Sequence, residues 1–292
     1  MIRIVSALLI LLLIACERKM SIPYPSPLPA KELIPFLPGV VGTDSLEFNA
    51  SFSPDEKSFY FSRYEIHDIF ESKYDGKQWG SPRITSFSEK EFKECDPAFS
   101  PDGKKLFYIS TRKRDQNDSI DDFDIWFVEK QGESWSAPQN LEIVNSDSSE
   151  FYVSFADNGN LYFASNRGGG FGSFDIYVSR FVGNSYTEPV NLGNSINNDH
   201  FEHDPFISND EQFLIYTSVN RTDGFGKGDL YYSSKDKAGK WSSAKNLGPV
   251  FNGPEYEFCP YLTKDGKYFF LTRGNDIKWI DAQALIKIVN SN

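Results

Sequence analysis

The chain has 292 residues, of which 39% are hydrophobic and 16% aromatic, and its net charge is −11. This acidic balance argues against nucleic acid as a partner, because binding a phosphate backbone requires a basic surface. It also argues against electrostatic attachment to anionic lipid. After the N-terminal segments described next, about 260 residues remain, which is enough for one β domain with a substantial core.

Residues 1–15 have the features of a secretion signal. Arg3 gives a positive start, and residues 4–14 form an uncharged apolar run. A membrane span needs about 20 apolar residues, so this run is too short to be one. Leu13-Ile14-Ala15-Cys16 resembles the lipobox of bacterial lipoproteins, which implies cleavage before Cys16 and attachment of acyl chains to its thiol. An ordinary signal peptide followed by a chance cysteine is the alternative.

Residues 16–30 follow as a proline-rich tether. Prolines at positions 23, 25, 27 and 29 exclude a helix or a central strand and favour an extended polyproline spacer. Residue 17 is a glutamate, not the aspartate that resembles an inner-membrane retention signal. We therefore expect a lipid-anchored protein of the cell envelope, at the outer membrane where the source has one, on the periplasmic or surface side.

From residue 31 onward the chain contains five copies of one repeat, each marked by a tight turn. Pro, Asp, Asn and Gly recur in these turns because they preset a sharp reversal of the chain. The five motifs are Phe52-Ser-Pro-Asp55, Phe99-Ser-Pro-Asp-Gly103, Phe155-Ala-Asp-Asn-Gly159, Ile207-Ser-Asn-Asp210 and Leu262-Thr-Lys-Asp-Gly266. Their register residues, at 55, 102, 158, 210 and 265, are 47, 56, 52 and 55 residues apart.

Each turn is followed by an aromatic, apolar strand, a polar loop, a strand that opens with aspartate, a hairpin and an outer strand. Continuous apolar runs of this kind are typical of strands buried on both faces. One repeat therefore predicts a four-stranded antiparallel meander, which is the size of a propeller blade. The predicted blades lie near 47–82, 94–141, 150–192, 202–247 and 257–281.

The fifth repeat lacks an outer strand, and its last residues run into a predicted short helix at 282–289. Leu37-Pro-Gly-Val40 resembles Leu247-Gly-Pro-Val250, which follows the outer strand of the fourth repeat. We therefore predict that a strand within 33–41 closes the last blade and removes the exposed edge of an open ring. The predicted fold is all-β, a five-bladed propeller. A six-bladed ring is the alternative, and it would need a blade that the sequence does not show.

The turn motifs resemble the TolB-type propeller repeats, the WD-repeat-like class that Phe-Ser-Pro-Asp-Gly marks. The resemblance covers residues 47–281 and implies the propeller fold. It implies no single function, because the class includes partner-binding periplasmic proteins, envelope lipoproteins and the non-catalytic propellers of certain peptidases.

Three charged positions recur at one rim of the predicted ring. A glutamate opens each inner strand, an arginine lies at or near the end of the second strand, and an aspartate opens the third. The residues are Glu47, Glu94, Glu150, Glu202 and Glu257; Arg63, Arg112, Arg167, Arg221 and Arg273; and Asp68, Asp124, Asp175, Asp229 and Asp276. Because they occur in every blade, we interpret them as a framework in which arginines bridge carboxylates. A carboxylate ring that holds a cation or a basic peptide is the alternative.

Loops that do not repeat are better candidates for specificity. Residues 168–173 and 223–228 are glycine-rich and are expected to be flexible, and they place two aromatic side chains near the same rim. An exposed ring can stack on a sugar or anchor a peptide. The alternative is that glycine serves the turn and the ring packs between blades. The candidate binding residues are Phe171, Phe225, Lys227, Arg167 and Arg221.

Two clusters resemble metal sites only loosely. The acidic loop at 112–124 lacks the closing glutamate of a calcium loop, so a solvated loop is favoured over a calcium site. Near His200 and His203 the neighbouring carboxylates are repeat positions, so no metal is assigned. Cys95 and Cys259 fall in non-adjacent blades and are interpreted as buried apolar residues rather than a disulfide.

The sequence contains no Gly-x-Ser-x-Gly nucleophile elbow and has no room for a hydrolase domain. We expect a non-catalytic binding or scaffold propeller for an envelope protein or a glycan, without a cofactor. The alternative is a glycosidase-like enzyme that uses two channel carboxylates. A channel carboxylate with a raised pKa and no arginine within reach would favour the enzyme. A groove lined by Phe171, Phe225 and other exposed rings would favour the binder.

Overall fold

The computed structural model describes residues 24–290. Cys16, the predicted signal peptide and most of the predicted tether lie outside the described residues. The described part is almost entirely β structure, arranged as five small antiparallel sheets with one short helix. Each sheet is one blade of a propeller, in which the innermost strand is also the first strand of the repeat.

The chain enters through a short strand, β1 (Ile34–Pro35). Blade 1 contains β2 (Glu47–Phe52), β3 (Ser58–Arg63), β4 (Asp68–Lys73) and β5 (Arg83–Ile84). Blade 2 contains β6 (Glu94–Phe99), β7 (Lys105–Ser110), β8 (Asp124–Gln131) and β10 (Gln139–Asn140), with β9 (Ser134–Trp135) paired beside β8. Blade 3 contains β11 (Glu150–Phe155), β12 (Leu161–Ser165), β13 (Asp175–Ser179) and β16 (Val190–Asn191), and β14 (Phe181–Val182) and β15 (Ser185–Tyr186) form a separate hairpin.

Blade 4 contains β17 (Glu202–Ile207), β18 (Phe213–Val219), β19 (Gly228–Ser234) and β20 (Lys245–Asn246). Blade 5 contains β21 (Glu257–Leu262), β22 (Tyr268–Arg273) and β23 (Asp276–Asp281), and α1 (Gln283–Val289) follows it. The outer strand of blade 5 is β1, which pairs antiparallel with β23 through Ile34 opposite Trp279. The prediction of five blades closed by an N-terminal strand is therefore confirmed, and the six-bladed alternative is wrong.

The turn motifs owe their recurrence to one hydrogen-bond pattern. Asp102 accepts hydrogen bonds from Ser100 Oγ (2.7 Å) and from the amide two residues later (3.1 Å). Asp55 and Asp265 bind their neighbours in the same way. The next residue in this motif, Gly103, has φ of 68°, which glycine adopts without the steric penalty of a side chain. The pattern also holds at Asp210, so it fixes four of the five short reversals at this rim of the ring. In the third repeat the hydroxyl position is Ala156, and Asn158 accepts from the Asn160 amide (3.0 Å).

Aromatic side chains fill the space between blades. Between blades 5 and 1, Phe36 packs its ring 4.7 Å from that of Phe59 and 5.0 Å from that of Phe270, and all three are buried. Burying a side chain of this size contributes roughly 1.5–3 kcal/mol. Because Phe36 follows β1 directly, the closing strand is held by core packing as well as by backbone pairing.

The ring has two different faces. The turn face carries the five short turn motifs, and the loop face carries the longer loops between the second and third strands and the connectors between blades. Tyr24 lies at the turn face, where its hydroxyl donates to Asp265 Oδ1 (3.2 Å) and its ring packs 4.3 Å from Tyr268. The described chain therefore enters the propeller from the turn face. No helix within residues 24–290 is long and apolar enough to cross a membrane.

Candidate functional site

The repeated glutamates are buried, and their partners come from within the same blade and its connector. Arginine nitrogens lie 3.1 Å from Glu47, 2.8 Å from Glu94, 2.9 Å from Glu150 and 2.7 Å from Glu257. Within the described part of the chain no arginine pairs with Glu202, which accepts instead from Ser218 Oγ (2.8 Å) and the Asn198 amide (3.1 Å). The arginines in the four pairs are Arg63, Arg112, Arg167 and Arg273.

Each glutamate also binds the connector that precedes its strand. Glu150 accepts from Ser146 Oγ (2.7 Å) and Ser165 Oγ (2.8 Å), and Glu257 accepts from the Gly253 amide (3.1 Å). Burial raises the pKa of Glu257 to about 7, although the Gly253 amide and Arg273 favour its charged form. These carboxylates are fully occupied inside the blades, so they do not form an open ring at the channel mouth.

The glycine-rich loops are built around two of the repeated aspartates. Asp175 accepts from the amides of Phe171 (2.7 Å) and Gly172 (3.0 Å), and Asp229 accepts from that of Phe225 (2.9 Å). A Cβ at Gly172 would lie 1.9 Å from a backbone carbonyl oxygen of the next connector. Glycine therefore serves close packing in these loops, and their amides are held by hydrogen bonds.

The two aromatic rings of these loops are exposed, at 51% for Phe171 and 50% for Phe225. Neither ring lines the channel. Arg167 is bound to Glu150, and Arg221 binds Asp223 (3.1 Å) and lies over the ring of Tyr231. Lys227 is exposed beside Phe225, and its amide donates to Glu255 O (3.2 Å). The five loop candidates are therefore not brought together as one site.

A second ring of residues lies two positions after the glutamates. Every inner strand has a register shift there, and the residue in the shift has a left-handed backbone. These residues and their φ angles are Asn49 (61°), Asp96 (56°), Tyr152 (44°), Asp204 (50°) and Cys259 (51°). A non-glycine residue with positive φ is uncommon, and clusters of such residues occur at functional sites. We call this set the bulge ring.

A funnel opens from the loop face down to the bulge ring. Its cavity volume is about 510 Å³. It is lined by Leu46, Phe48, Tyr64, His67, Lys93, Cys95, Asp96, Phe123, Phe151, Phe201, His203, Asp204, Tyr256, Phe258 and Cys259. A smaller cavity of about 140 Å³ opens at the turn face and includes Tyr152 and Asn49 in its lining. Tyr152 reaches across the channel and donates its hydroxyl hydrogen to Pro260 O (2.8 Å).

The wall of the funnel is an uninterrupted series of ring contacts. Seven successive pairs have centroid distances from 4.4 to 6.1 Å. The series runs Phe123, Phe151, Phe174, Phe201, His203, Tyr256, Phe258 and Phe48. It spans all five blades, so an apolar or cationic group inside the funnel would meet aromatic surface on most sides.

The floor of the funnel holds a polar network around Asp204. His203 Nδ1 lies 2.9 Å from Asp204 Oδ1, and Asp204 Oδ2 accepts from the amide (3.0 Å) and thiol (3.3 Å) of Cys259. His203 Nε2 is hydrogen-bonded to the hydroxyl of Tyr256 (2.7 Å). Both oxygens of this carboxylate therefore have partners, and the network links the floor to the aromatic wall.

Asp96, the other carboxylate of the floor, has one oxygen without a hydrogen-bond partner in the described chain. Among the described residues its Oδ1 has no hydrogen-bond partner, and neither does Oδ1 of Asn49 beside it. Burial, followed by the charge of Asp204, raises the pKa of Asp96 well above its ordinary value. No arginine or lysine of the described chain lies within 4.0 Å of either carboxylate.

In the structure an arginine lies among the carboxylates of the acidic loop at 112–124. In the 112–124 loop, Arg114 lies 3.0 Å from Asp124, 3.5 Å from Asp122 and 3.7 Å from Asp118, so the chain supplies its own cation there. Burial raises the pKa of Asp124 to about 7, against the effect of Arg114. Within residues 24–290, no three His, Cys, Asp or Glu side chains are grouped as ligands for a metal ion.

The two cysteines are buried free thiols, so the prediction against a disulfide is confirmed. Both also line the funnel, which the interpretation as apolar fillers did not anticipate. Burial, followed by the charges of Asp204 and Asp96, raises the pKa of Cys259 well above its ordinary value. A signal was available in the sequence: the third residue of each inner strand varies, whereas the first is always glutamate.

No family model matches this chain, and no curated protein matches it. Solved structures do match its fold. TolB from Acinetobacter baumannii superposes with a TM-score of 0.52 at 16% identity, over 87% of this chain and 60% of TolB. The chain has a TolB-like propeller fold.

Two enzymes share the same fold. An endo-arabinase from Bacteroides thetaiotaomicron gives a TM-score of 0.55 at 13% identity, over 85% of this chain and 96% of the enzyme. An α-L-arabinofuranosidase from Lactobacillus brevis gives 0.52 at 13% identity, over 81% of this chain and 86% of the enzyme. At these identities the likeness shows the fold alone.

Proposed function

We propose that this chain is a lipid-anchored envelope protein whose propeller is a non-catalytic binding module, and that its ligand enters the aromatic funnel on the loop face. The observation that carries the proposal is the continuous aromatic wall above a polar floor. Ligand sites are typically concave, mostly apolar cavities of about 300–1,000 Å³ with a few polar groups that fix orientation. The funnel, at about 510 Å³, has this composition and this size.

The variation among the blades supports the funnel over the repeated charges. A side chain that recurs in every blade serves the blade, whereas a ligand without five-fold symmetry needs positions that differ. The bulge ring contains Asn49, Asp96, Tyr152, Asp204 and Cys259, which are four residue types in five positions, and no two neighbours around the ring are the same. The floor therefore offers an asymmetric pattern of donors and acceptors.

The entry point of the chain supports a binding face turned away from the membrane. Tyr24 is fixed at the turn face, and Cys16 lies eight positions before it in the sequence. Eight extended residues reach at most about 28 Å. If Cys16 carries the lipid, the turn face is next to the bilayer and the funnel opens toward the partner.

The partner in this proposal is an envelope protein or a glycan. The test compares capture from the native envelope by the anchored wild-type chain and by a Phe151→Ala, Phe201→Ala double variant. We expect the double variant to lose at least about tenfold in recovery, because truncated aromatic anchors commonly cost 2 kcal/mol or more. Phe225→Ala is the matched control and should retain recovery. A glycan array separates the two partner classes.

Retention of the same partner by the folded double variant would contradict binding in the funnel. Loss of recovery by Phe225→Ala alone would move the site to the exposed loops. Circular dichroism and thermal unfolding of each variant establish that it is folded before capture is measured.

A glycosidase-like activity is the second candidate, because one observation favours it. Asp96 is a channel carboxylate with a raised pKa and no arginine partner, which is the state of a general acid. Glycoside hydrolysis also needs a second carboxylate as nucleophile or base. Asp204 is the available one, but His203 Nδ1 lies 2.9 Å from one of its oxygens and the Cys259 amide donates to the other. We therefore place binding ahead of catalysis.

An assay separates the two. The chain is incubated with arabinan and with nitrophenyl arabinosides, and released sugar and nitrophenol are measured for the wild type and for Asp96→Asn. The binding proposal predicts no turnover above the buffer blank with either protein. Turnover by the wild type that disappears in Asp96→Asn would establish the enzyme and overturn the non-catalytic proposal.

A further inference from the structure

The two carboxylates at the floor of the funnel lack the cation that the equivalent buried carboxylates of the blades possess. Four of the five repeated glutamates have an arginine nitrogen within 3.1 Å. Around Asp96 and Asp204 the described chain offers only His203, whose Nδ1 lies 2.9 Å from Asp204. The Tyr152 amide and the Asn49 side chain favour the charged form of Asp96, but neither carries a positive charge. Burying a carboxylate without a counter-charge is costly, so such a group is either neutral or paired with a cationic ligand.

We infer, on the basis of the proposed binding role, that the funnel receives an organic cation on an apolar stem, an ammonium or a guanidinium, whose charge lies against Asp96 and Asp204. Asp96 is 5% exposed and Asp204 is 6% exposed, and both line the same cavity. Asp96 Oδ1 has no hydrogen-bond partner among the described residues. An N–H donor of the ligand would satisfy this atom directly.

The aromatic wall suits the same ligand. A cation above an aromatic face is attracted by the negative face of the ring, and the apolar stem is stabilised by leaving water. Phe201 lies 4.4 Å from the ring of His203, and Tyr256 lies next to it, so the wall reaches the floor without a gap. An anion would meet two carboxylates here, and a neutral apolar group would leave Asp96 Oδ1 unsatisfied.

The net charge of −11 acts in the same direction, because an acidic protein raises the local concentration of cations near its surface. Of the basic residues that line the funnel, Lys93 and His67 lie outside the floor, and burial, followed by the charge of Lys93, lowers the pKa of His67. Lys93 is exposed and His67 is only partly buried, and neither lies within 4.0 Å of a floor carboxylate. A cation that enters therefore passes these two groups before it reaches an acidic floor.

Binding of the cation is expected to depend on pH in a defined direction. The titratable groups that face Asp96 are Asp204, Cys95, Tyr152 and Cys259, and His203, Tyr256, His67 and Lys93 line the same funnel. Burial and the charge of Asp204 raise the pKa of Asp96, so in the empty site this carboxyl holds its proton more tightly than an ordinary carboxyl does. A bound cation favours the ionised form, so affinity should rise with pH, by at most about tenfold per pH unit for one released proton.

The probes are n-butylammonium and 1-butanol, which share a stem and differ in charge. They are titrated into the wild-type chain at pH 7.5 and followed by the NMR signals of the Cys259 and Tyr152 amides. We expect butylammonium to bind about tenfold more tightly than butanol, the factor that about 1.4 kcal/mol of charge pairing provides. N-acetyl-lysine methylamide is a third probe. Tighter binding of this probe than of butylammonium assigns the cation to a protein side chain, and the reverse assigns it to a small free amine.

Asp96→Asn should reduce the affinity for butylammonium about tenfold, leave that for butanol unchanged and abolish the rise with pH. Asp157→Asn is the matched control, because Asp157 is an exposed carboxylate at the turn-face cavity. It should change neither probe. Equal binding of butylammonium and butanol, with Asp96→Asn without effect, would overturn the cation inference and leave the funnel as a binding site. Absence of funnel shifts with every probe would contradict both.

Discussion

The two rings of residues that begin each inner strand differ in what they do with a buried carboxylate. The glutamate at the first position is the same in all five blades and is saturated by hydrogen bonds and, in four blades, by an arginine. Two residues later, the bulge ring contains five side chains of four types, with one carboxylate oxygen unpartnered. Residues that recur in every blade therefore belong to the structural framework, and residues that differ from blade to blade form the candidate binding site.

The first prediction concerns the saturated ring and has the largest expected effect. Glu150→Ala removes the acceptor for Ser146, Ser165 and Arg167, and should lower the free energy of unfolding by about 3 kcal/mol. Urea unfolding measures it. Glu188→Ala removes the same charge from an exposed position of the same blade and should cost less than about 0.5 kcal/mol. Equal values for the two variants would show that the glutamates are not framework residues.

The second prediction assigns the glycine-rich loops to the framework. A Cβ at Gly226 would lie 2.3 Å from Gly253 O and 2.4 Å from Glu255 O. Gly226→Ala should therefore lower the free energy of unfolding by about 1–3 kcal/mol through overpacking. At Gly168 a Cβ would meet nothing within 4 Å, so Gly168→Ala should be close to neutral in the same urea titration. A neutral Gly226→Ala would mean that this loop moves freely.

The third prediction is a substitution that stabilises the protein, because ionising the buried Asp96 carboxyl costs free energy. The folded chain binds the Asp96 proton more tightly than the unfolded chain, so stability falls as pH rises from about 4 toward the raised pKa. Asp96→Asn cannot ionise, and should increase the free energy of unfolding by about 1–2 kcal/mol at pH 8 and by less at pH 4. Guanidinium titrations at both pH values measure this. If Asp96→Asn were less stable than the wild type at pH 8, the Asp96 carboxylate would have a stabilising partner in the folded protein, contrary to this prediction.

The smallest effect is expected at the exposed rings of the loop face. Phe171→Ser and Phe225→Ser remove side chains that are half exposed and are not part of the funnel lining. Each should change the free energy of unfolding by less than about 0.5 kcal/mol, measured by thermal unfolding. A destabilisation of 2 kcal/mol or more, well above the range of about 0.5 for surface sites, would show that these rings pack between blades.

The fold could be predicted from the sequence because all five repeats carry the same pattern of turns and strands. The turn motifs set the register, the aromatic strands set the core, and the missing outer strand of the fifth repeat pointed to residues 33–41. In the structure β1 is Ile34–Pro35, inside that range.

The site was harder to predict, because it depends on one extra residue in each inner strand. A regular strand places the residue two positions after the buried glutamate on the same side as that glutamate. The bulge changes this direction and turns Asp96, Asp204 and Cys259 toward the channel. The residue types at the bulge do not predict it, because Asn, Asp, Tyr and Cys have no common preference for this backbone conformation. The exposed Phe171 and Phe225, in contrast, were conspicuous in the sequence and lie away from the funnel.

Site-specific photo-crosslinking in the native envelope tests whether the partner binds at the funnel on the loop face. A benzophenone amino acid replaces Tyr64 at the funnel rim, Phe225 in the exposed loop, or Lys264 at the turn face, each in the lipid-anchored chain. We expect a discrete crosslinked product from position 64 that disappears in the Phe151→Ala, Phe201→Ala background, and none from position 264. Crosslinks of equal yield from position 264, unaffected by the funnel substitutions, would contradict it.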